Sequence, residues 1–282
     1  MTATPTMRRR LWLFLSAIVL VAVAIEVIAC VLLYFAQDAL ILPTRPLTAA
    51  DVDDIQRRHR GLTAITTRAQ DGAQLQGWSH PANAVGASLV VYFGGQGAEV
   101  SGSVQDTALQ TGWSVIGFNY RGSGLSQGKP SESALFADAL VAYDYAKRLR
   151  PRSVVAMGTS LGSGVAVYLA SQRPVASVVL VAPYDSVTSV AQEQYPFVPV
   201  FLLIRYPFDS LTRAPQVHAP LLVMAGERDH RIPPSHAQRL AAQWGGEVTL
   251  HIVADGDHDY LGQRPDFWPT INAFLRHRLP HS

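Results

Sequence analysis

The distribution of apolar residues divides the chain into one long N-terminal run and a series of short runs behind it. The long run covers residues 11–35 and contains a single charged residue, Glu26. A helix of this length spans about 37 Å, which is enough to cross a bilayer core of about 30 Å with some tilt. The pattern therefore predicts a transmembrane anchor over residues 11–36, preceded by a basic segment over residues 1–10.

The charges on either side of this anchor predict its orientation. Arg8-Arg9-Arg10 precedes the apolar run, whereas Arg45 is the basic residue that follows it closely. Since positive charge is retained on the cytoplasmic side, we expect the N-terminus in the cytoplasm and the rest of the chain outside it. The sequence thus predicts a single-pass membrane protein whose main domain is extracytoplasmic, which in a bacterium means periplasmic.

An alternative is that the N-terminal segment is cleaved or lipidated. Val27-Ile28-Ala29-Cys30 resembles a lipoprotein cleavage site. However, Glu26 interrupts the apolar region just before it, and residues 31–35 continue that region beyond Cys30. A cleavable signal also has a shorter apolar region. The sequence favours an uncleaved anchor, and it leaves open whether Glu26 faces a partner helix, is protonated or is merely tolerated in lipid.

Behind the anchor, residues 37–61 are predicted as a linker with a short basic helix, and residues 62–282 as one folded domain. Two alternating segments on either side of Asp71-Gly72 predict a hairpin. Short apolar strands then alternate with helical segments, which predicts an α/β fold with a mostly parallel central sheet and helices on both faces. Functional sites in such sheets lie at the carboxyl ends of the strands. The apolar runs cover residues 88–93, 113–118, 154–157, 175–181 and 220–225.

Composition and spacing exclude several classes of function. The net charge of +2 is too small to indicate nucleic-acid binding. The single cysteine excludes an intrachain disulfide. No cluster of histidine, cysteine and acidic residues has the spacing of metal ligands, and Gly94-Gly95-Gln96-Gly97 lacks the spacing of a phosphate-binding loop. We therefore expect neither a metal nor a cofactor.

The strongest chemical signal is Gly158-Thr159-Ser160-Leu161-Gly162, which lies between a predicted buried strand and a predicted helix. In this strand–turn–helix context, the pattern G-x-S-x-G places the serine on a sharp, strained turn with its hydroxyl exposed at the end of the sheet. The helix that begins there favours negative charge near its N-terminus. Ser160 is therefore the predicted nucleophile.

A serine hydroxyl becomes a useful nucleophile only with a base to take its proton and a third group to orient that base. His258 follows the last predicted strand and Asp229 follows the strand before it, and this chain order of serine, acid and histidine is typical of triads built on such sheets. The oxyanion of the tetrahedral intermediate needs two N–H donors. The backbones of Leu161 and Gln96 are predicted to supply them.

Other acidic residues compete for the role of Asp229. Asp185 follows the preceding strand and is the main alternative, although its context also suits a turn or a helix cap. Asp255, Asp257 and Asp259 surround His258 in sequence, so each of them could also contact the imidazole. The sequence favours Asp229 on chain order, because it follows the strand just before the one that leads to His258.

Six motifs lie at the ends of predicted strands or within the insertion behind the sixth strand, and together they resemble a known family. They are Tyr92-Phe93-Gly94-Gly95-Gln96-Gly97, Phe118-Asn119-Tyr120-Arg121-Gly122-Ser123-Gly124, Gly158-Thr159-Ser160-Leu161-Gly162, Tyr206-Pro207-Phe208-Asp209-Ser210, Gly226-Glu227-Arg228-Asp229 and Gly256-Asp257-His258. With these motifs, residues 62–279 are similar to the serine α/β-hydrolase superfamily, and most resemble its membrane-anchored Bem46-like proteins and α/β-hydrolase-domain proteins of types 12, 13 and 17.

This resemblance implies the α/β-hydrolase fold and the hydrolysis of carboxylic esters, thioesters or lysophospholipids, without choosing among them. One departure concerns the oxyanion loop, where the family commonly has His-Gly and this chain has Gly94-Gly95. The change keeps the backbone donor and alters the polarity of the loop.

A short insertion over residues 183–218 lies between the sixth and seventh predicted strands, where a lid would sit. It contains an apolar run over residues 195–204 that could line an acyl pocket, touch the membrane or simply cap the fold. The first interpretation makes Phe201 and Leu202 candidate substrate-binding residues.

The sequence as a whole predicts a membrane-anchored serine hydrolase that cleaves the ester or thioester bond of an apolar acyl substrate, a lipid among the candidates. A serine peptidase of the same fold is one alternative, and a non-catalytic interaction protein that has kept the fold is another.

Overall fold

The computed structural model of the chain describes residues 5–82 and 87–278. The first four residues of the predicted basic segment and the last four of the predicted hydrolase domain lie outside the described residues. The helices are α1 (Pro5–Ile41), α2 (Ala49–Arg58), α3 (Ser101–Thr111), α4 (Glu132–Arg148), α5 (Leu161–Gln172), α6 (Val187–Gln194), α7 (Val200–Leu203), α8 (Pro234–Ala242) and α9 (Phe267–Arg278). The strands are β1 (Thr63–Arg68), β2 (Gln74–His80), β3 (Leu89–Phe93), β4 (Ser114–Phe118), β5 (Val154–Thr159), β6 (Ser177–Val181), β7 (Leu221–Gly226) and β8 (Val248–Val253).

In the described part of the chain, the strands form one eight-stranded sheet in the order β1-β2-β4-β3-β5-β6-β7-β8. The predicted hairpin is present as the antiparallel pair β1–β2, and β2 also runs antiparallel to β4. All pairs from β4 to β8 are parallel. The prediction of a mostly parallel α/β sheet is therefore confirmed.

Two apolar cores lie on opposite faces of this sheet, because its central strands are buried along their whole length. The core on one face is packed by α4, α5 and α8, which contribute Leu135, Val165 and Leu240. The core on the other face is packed by α3 and α9, which contribute Val104 and Ile271. This arrangement explains why β3, β5, β6 and β7 read as continuous apolar runs rather than as alternating ones.

The N-terminal helix α1 is long and apolar enough between Trp12 and Ile41 to cross a membrane, a property that signal sequences share. It continues five residues beyond the predicted end of the anchor at residue 36. Leu42, which follows it directly, is buried in the core on the α4–α5 face. The apolar helix is thus joined to the folded domain without a flexible spacer.

The segment behind α1 is held against the domain by backbone hydrogen bonds. The N–H of Leu47 donates to the carbonyl of Gly124 at 2.9 Å, and the N–H of Gly124 donates to the carbonyl of Arg45 at 2.9 Å. The N–H of Arg45 also donates to the hydroxyl of Ser123 at 2.9 Å. Residues 45–47 of the predicted linker therefore behave as part of the domain, because their backbone groups are paired with the loop behind β4.

Candidate active site

A sharp turn lies between β5 and α5, at Ser160. Its backbone has φ 51° and ψ −120°, a conformation that is costly for a residue other than glycine and is typical of strained functional turns. Gly158 and Gly162 allow this turn, because a Cβ on Gly158 would overlap the backbone of Gly162 and a Cβ on Gly162 would overlap the carbonyl oxygens of β3 and the loop behind it. The turn presents the Ser160 hydroxyl at the carboxyl end of the sheet.

The structure brings the three predicted catalytic side chains together in one hydrogen-bonded line. The hydroxyl Oγ of Ser160 lies 3.0 Å from Nε2 of His258. On the other side of the ring, Nδ1 of His258 lies 2.7 Å from Oδ2 of Asp229. In the tautomer that donates from Nδ1 to the carboxylate, Nε2 is an acceptor for the serine proton.

Asp229 is fixed by its own loop as well as by the imidazole. Its side chain is 1% exposed, whereas that of His258 is 13% exposed. The backbone N–H groups of Arg231 and Ile232 donate to Oδ1 at 2.9 and 2.8 Å. One carboxylate oxygen is thus held by the loop while the other faces His258, so the acid is oriented before any substrate arrives.

Asp185, the alternative acid, belongs to a separate buried network. Its carboxylate accepts hydrogen bonds from Nδ1 of His236 at 2.7 Å and from Nε of Arg239 at 2.6 Å. Burial alone would raise the pKa of Asp185, but the hydrogen bonds from His236 and Arg239 outweigh it and lower this pKa to about 2. Asp185 therefore ties the start of the insertion to α8, and its position does not bring it to His258.

The three acidic residues beside His258 in sequence also bond elsewhere. Asp255 pairs with Arg228 at 2.5 Å, and Asp259 pairs with Arg231 at 2.7 Å. Oδ1 of Asp257 accepts the backbone N–H groups of Asp259 and Tyr260 and so closes a turn. Asp229 is the one among the candidate acids whose carboxylate faces the imidazole.

The two predicted oxyanion donors lie on either side of Ser160. Leu161 is the first residue of α5, where helix geometry provides no intrahelical acceptor for its N–H. The loop behind β3 approaches from the other side, since a Cβ on Gly95 would lie 3.5 Å from the Cβ of Ser160. The Tyr120 hydroxyl holds this loop by donating to the carbonyl of Gly94 at 2.8 Å. Leu161 and Gln96 both line the cavity that contains Ser160.

That cavity has a volume of about 490 Å³ and lies over the carboxyl end of the sheet, with Ser160 and His258 in its wall. The insertion between β6 and β7 contributes the largest share of the remaining wall. Its aliphatic side chains there are Val187, Val190, Ala191, Val198, Val200, Leu203 and Ile204, and Tyr184, Gln194 and Tyr195 also line the cavity.

The structure corrects the prediction for the substrate-binding residues of the insertion. Phe201 and Leu202 are 68% and 72% exposed, and neither lines the cavity. Their neighbours Val200 and Leu203 on α7 face inward instead. A helix of four residues is too short for a hydrophobic period to reveal its buried side, so the sequence identified the right segment and the wrong face.

A second group of lining residues was missed by sequence reasoning. The last turns of α1 contribute Leu33, Tyr34, Gln37, Leu40 and Ile41 to the cavity wall. The sequence offered little signal for this contact, because about 20 apolar residues cross the bilayer core and polar residues beyond them, such as Gln37 and Asp38, are ordinary. As for metals, the described residues contain no group of three or more His, Cys, Asp or Glu that could hold an ion.

Comparisons with known proteins identify the fold family. The sequence model of a family described as having the alpha/beta hydrolase fold matches residues 93–213. A protein of Mycobacterium tuberculosis that carries the name uncharacterized is 36% identical over 198 residues, which are 68% of this chain and 70% of that protein. Alpha/beta hydrolase domain-containing protein 17C of Mus musculus is 30% identical over 176 residues, which are 60% of this chain and 52% of that protein.

Solved structures share the fold at low sequence identity. The esterase Pf2001 of Pyrococcus furiosus superposes with a TM-score of 0.67 at 18% identity, over 84% of this chain and 99% of that chain. Est1E of Butyrivibrio proteoclasticus superposes with a TM-score of 0.62 at 15% identity, over 77% of this chain and 99% of that chain.

Proposed function

The chain belongs to the α/β-hydrolase family, and from this premise we propose that it is a membrane-anchored serine hydrolase that cleaves the ester or thioester bond of an apolar acyl group. The observation that carries the proposal is the line of hydrogen bonds from Ser160 through His258 to Asp229, at 3.0 and 2.7 Å. One of the proteins that share its fold, Pf2001, is named an esterase.

The reaction follows from this geometry. Oγ of Ser160 attacks the carbonyl carbon of the substrate while Nε2 of His258 takes the hydroxyl proton. The carbonyl oxygen becomes an oxyanion, which accepts hydrogen bonds from the N–H groups of Leu161 and Gln96. Collapse of the intermediate breaks the bond to the alcohol or thiol, which leaves with the proton from His258. Water, deprotonated by the same imidazole, then attacks the acyl-enzyme and releases the carboxylic acid.

Asp229 serves the reaction without exchanging protons. By accepting from Nδ1, its carboxylate keeps Nε2 free to take the serine proton and stabilises the imidazolium that forms. The N–H groups of Arg231 and Ile232 hold the carboxylate in place during this step. The ring therefore begins the reaction in the required tautomer and orientation.

The cavity supports the choice of an apolar acyl group. The wall that the insertion contributes includes seven aliphatic side chains, which gain free energy by covering methylene groups. The long apolar helix α1, which ends beside this cavity, supports a membrane location. Its orientation with the domain outside the cytoplasm rests on the arginines that precede the apolar run of α1.

The test combines covalent labelling with turnover. A fluorophosphonate probe should label the full-length protein at Ser160, and the Ser160→Ala variant should remain unlabelled. Turnover of a series of p-nitrophenyl esters and aminoacyl anilides should then favour the esters. A labelled protein that prefers anilides would support the peptidase alternative, and a protein that is neither labelled nor active would support a non-catalytic role.

A further inference from the structure

The last turns of α1 form one wall of the cavity that contains Ser160. Leu33, Gln37, Leu40 and Ile41 line it, at the spacing of residues that share one face of a helix. Leu32 and Phe35 lie on other faces and are 65% and 75% exposed. The last turns of α1 therefore have two sides. One side lines the cavity, and the other is exposed at the surface of the protein.

This wall is joined to the insertion by directed hydrogen bonds. The side chain of Gln37 is buried, donates from Nε2 to the carbonyl of Leu203 at 2.9 Å and accepts the N–H of Arg205 at 2.7 Å. Asp38 accepts from Arg205 at 2.6 Å and from the Tyr206 hydroxyl at 2.8 Å. Because a single amide satisfies two backbone groups behind α7, the helix and the insertion meet in one defined arrangement.

The length of α1 places this joint at the membrane surface. A bilayer core of about 30 Å is crossed by about 20 residues, which from Trp12 end at Val31. Leu33 follows two residues later, about 3 Å further along the axis. This is within the polar headgroup layer, which is about 5 to 7 Å thick on each side. The cavity wall therefore begins in that layer, where Tyr34 has the position of an interfacial aromatic residue.

The outer side of the insertion carries an apolar patch next to this joint. Phe197, Phe201 and Leu202, which we call the docking patch, are 88%, 68% and 72% exposed. Phe201 and Leu202 belong to α7, the helix whose Leu203 carbonyl is bonded to Gln37. An exposed apolar surface that continues from a helix able to span a membrane is expected to contact the same lipid.

We propose that the docking patch rests in the bilayer and that the substrate is a membrane-resident acyl ester, which enters the cavity sideways between α1 and the insertion. The proposal rests on the proposed hydrolase function and adds the source of the substrate. Its acyl chain leaves the lipid between Leu33 and Leu203, with the ester carbonyl reaching Ser160 at the inner end. The chain is then never transferred through water, where its apolar surface would be exposed.

The experiment uses the full-length protein in vesicles of phosphatidylcholine and phosphatidylglycerol. 4-Methylumbelliferyl oleate is placed either in the same vesicles as the enzyme or in separate vesicles, and initial rates are compared. Water-soluble 4-methylumbelliferyl acetate measures the chemical step in each sample. We expect the oleate in the same vesicles to be hydrolysed at least tenfold faster than the oleate in separate vesicles, with equal acetate rates.

Two variants and their matched controls test the two parts of the proposal. A triple variant of the docking patch, with Phe197→Ser, Phe201→Ser and Leu202→Ser, should lower the ratio of oleate to acetate rates at least fivefold. The control Leu109→Ser replaces an exposed leucine on α3 and should leave this ratio unchanged. Leu33→Trp narrows the entrance and should lower the ratio similarly. Leu32→Trp, one residue away on the exposed side of α1, should leave it unchanged.

Three outcomes would overturn the inference. Equal oleate rates from the same and from separate vesicles would show that the substrate arrives through water. Unchanged ratios in both the docking-patch and Leu33→Trp variants would remove the proposed route. A docking-patch variant that turns a detergent-solubilised dimer into a monomer while keeping its ratio would assign the patch to self-association. Absence of acetate turnover in the wild-type protein would contradict the hydrolase function itself. Failure of the proposed function is thus distinguished from failure of the proposed route.

Discussion

The side-chain amide of Gln96 donates a hydrogen bond to the backbone carbonyl of Leu40, in the last turn of α1. Gln96 is the predicted oxyanion donor behind β3, and Leu40 lines the same cavity. The bond therefore connects the loop that should stabilise the transition state with the helix that should hold the protein in the membrane.

The Gln96–Leu40 bond leads to a first prediction. Gln96→Ala keeps the backbone donor and removes the side-chain bond, so the loop should be less well positioned. We expect kcat for a soluble ester to fall by up to about tenfold, the equivalent of one ordinary hydrogen bond. Gln238→Ala, on the exposed side of α8, is the matched control. Steady-state kinetics with unchanged values for Gln96→Ala would show that the side chain does not position the loop.

The second prediction separates the two candidate acids. Asp229→Asn should lower kcat by about 10⁴, because the amide no longer favours the required tautomer of His258. Ser160→Ala and His258→Ala should be similarly inactive, and their effects should not add to one another. Asp185→Asn should stay within tenfold of the wild-type kcat, since its partners are His236 and Arg239. A larger loss for Asp185→Asn than for Asp229→Asn would reverse the assignment.

The third prediction concerns stability at acidic pH. The pKa of Asp185 is lowered to about 2 in the folded protein. Its usual value is about 3.9, so the folded state favours the ionised carboxylate. Above pH 4 this contributes on the order of 2 kcal/mol to the free energy of unfolding, and the contribution is lost as the pH falls towards 2.

Thermal unfolding at several pH values tests this contribution. Asp185→Asn should lower Tm by about 4 to 8 °C at pH 6, and the difference from the wild type should shrink as the pH approaches 2. Asp144→Asn removes a half-exposed carboxylate whose ion pair with Arg173 is 3.6 Å long, and it should have little effect at any pH. A constant difference between Asp185→Asn and wild type across this range would contradict the assigned cause.

The fourth prediction concerns acyl-chain length and tests the corrected lining of the insertion. With soluble esters in detergent below its critical micelle concentration, kcat/KM should rise about fourfold per methylene until the cavity is filled. Leu203→Ser should flatten this rise, because Leu203 lines the cavity. Leu202→Ser should retain it, because that side chain points outward. The reverse result would restore the original sequence prediction.

The fifth prediction concerns topology. A C-terminal alkaline phosphatase fusion should be active in a bacterial host and a green fluorescent protein fusion should be dark, because Arg8-Arg9-Arg10 keeps the N-terminus in the cytoplasm. The mass of the purified protein should include the complete N-terminal segment. A lipidated chain that begins at Cys30 would show instead that the segment is a lipoprotein signal.

Much of the fold and part of the candidate site were predictable, because their signals are local. The alternation of buried strands and helices determined the α/β class and the parallel sheet. Ser160, Asp229 and His258 follow β5, β7 and β8. Because parallel strands bring their carboxyl ends to one edge, the fold class predicted that these residues would lie near one another. The structure places the three side chains within hydrogen-bonding distance, and their roles stay predictions until they are measured.

Only the tertiary structure determined the contacts between distant segments, because no sequence pattern predicts such contacts. Asp185 and Asp229 both follow a strand, and only packing against α8 and the loop behind β8 shows which carboxylate meets which histidine. The four residues of α7 are too few for periodicity to separate Leu202 from Leu203. The sequence at the end of α1 predicts a membrane helix. In the structure it forms a cavity wall, because Gln37 is hydrogen-bonded to Leu203 and Arg205, which lie 166 and 168 residues away in the chain. The hydrophobic periodicity of a sequence predicts which side of a helix or strand is buried, but it does not predict which other element packs against that side.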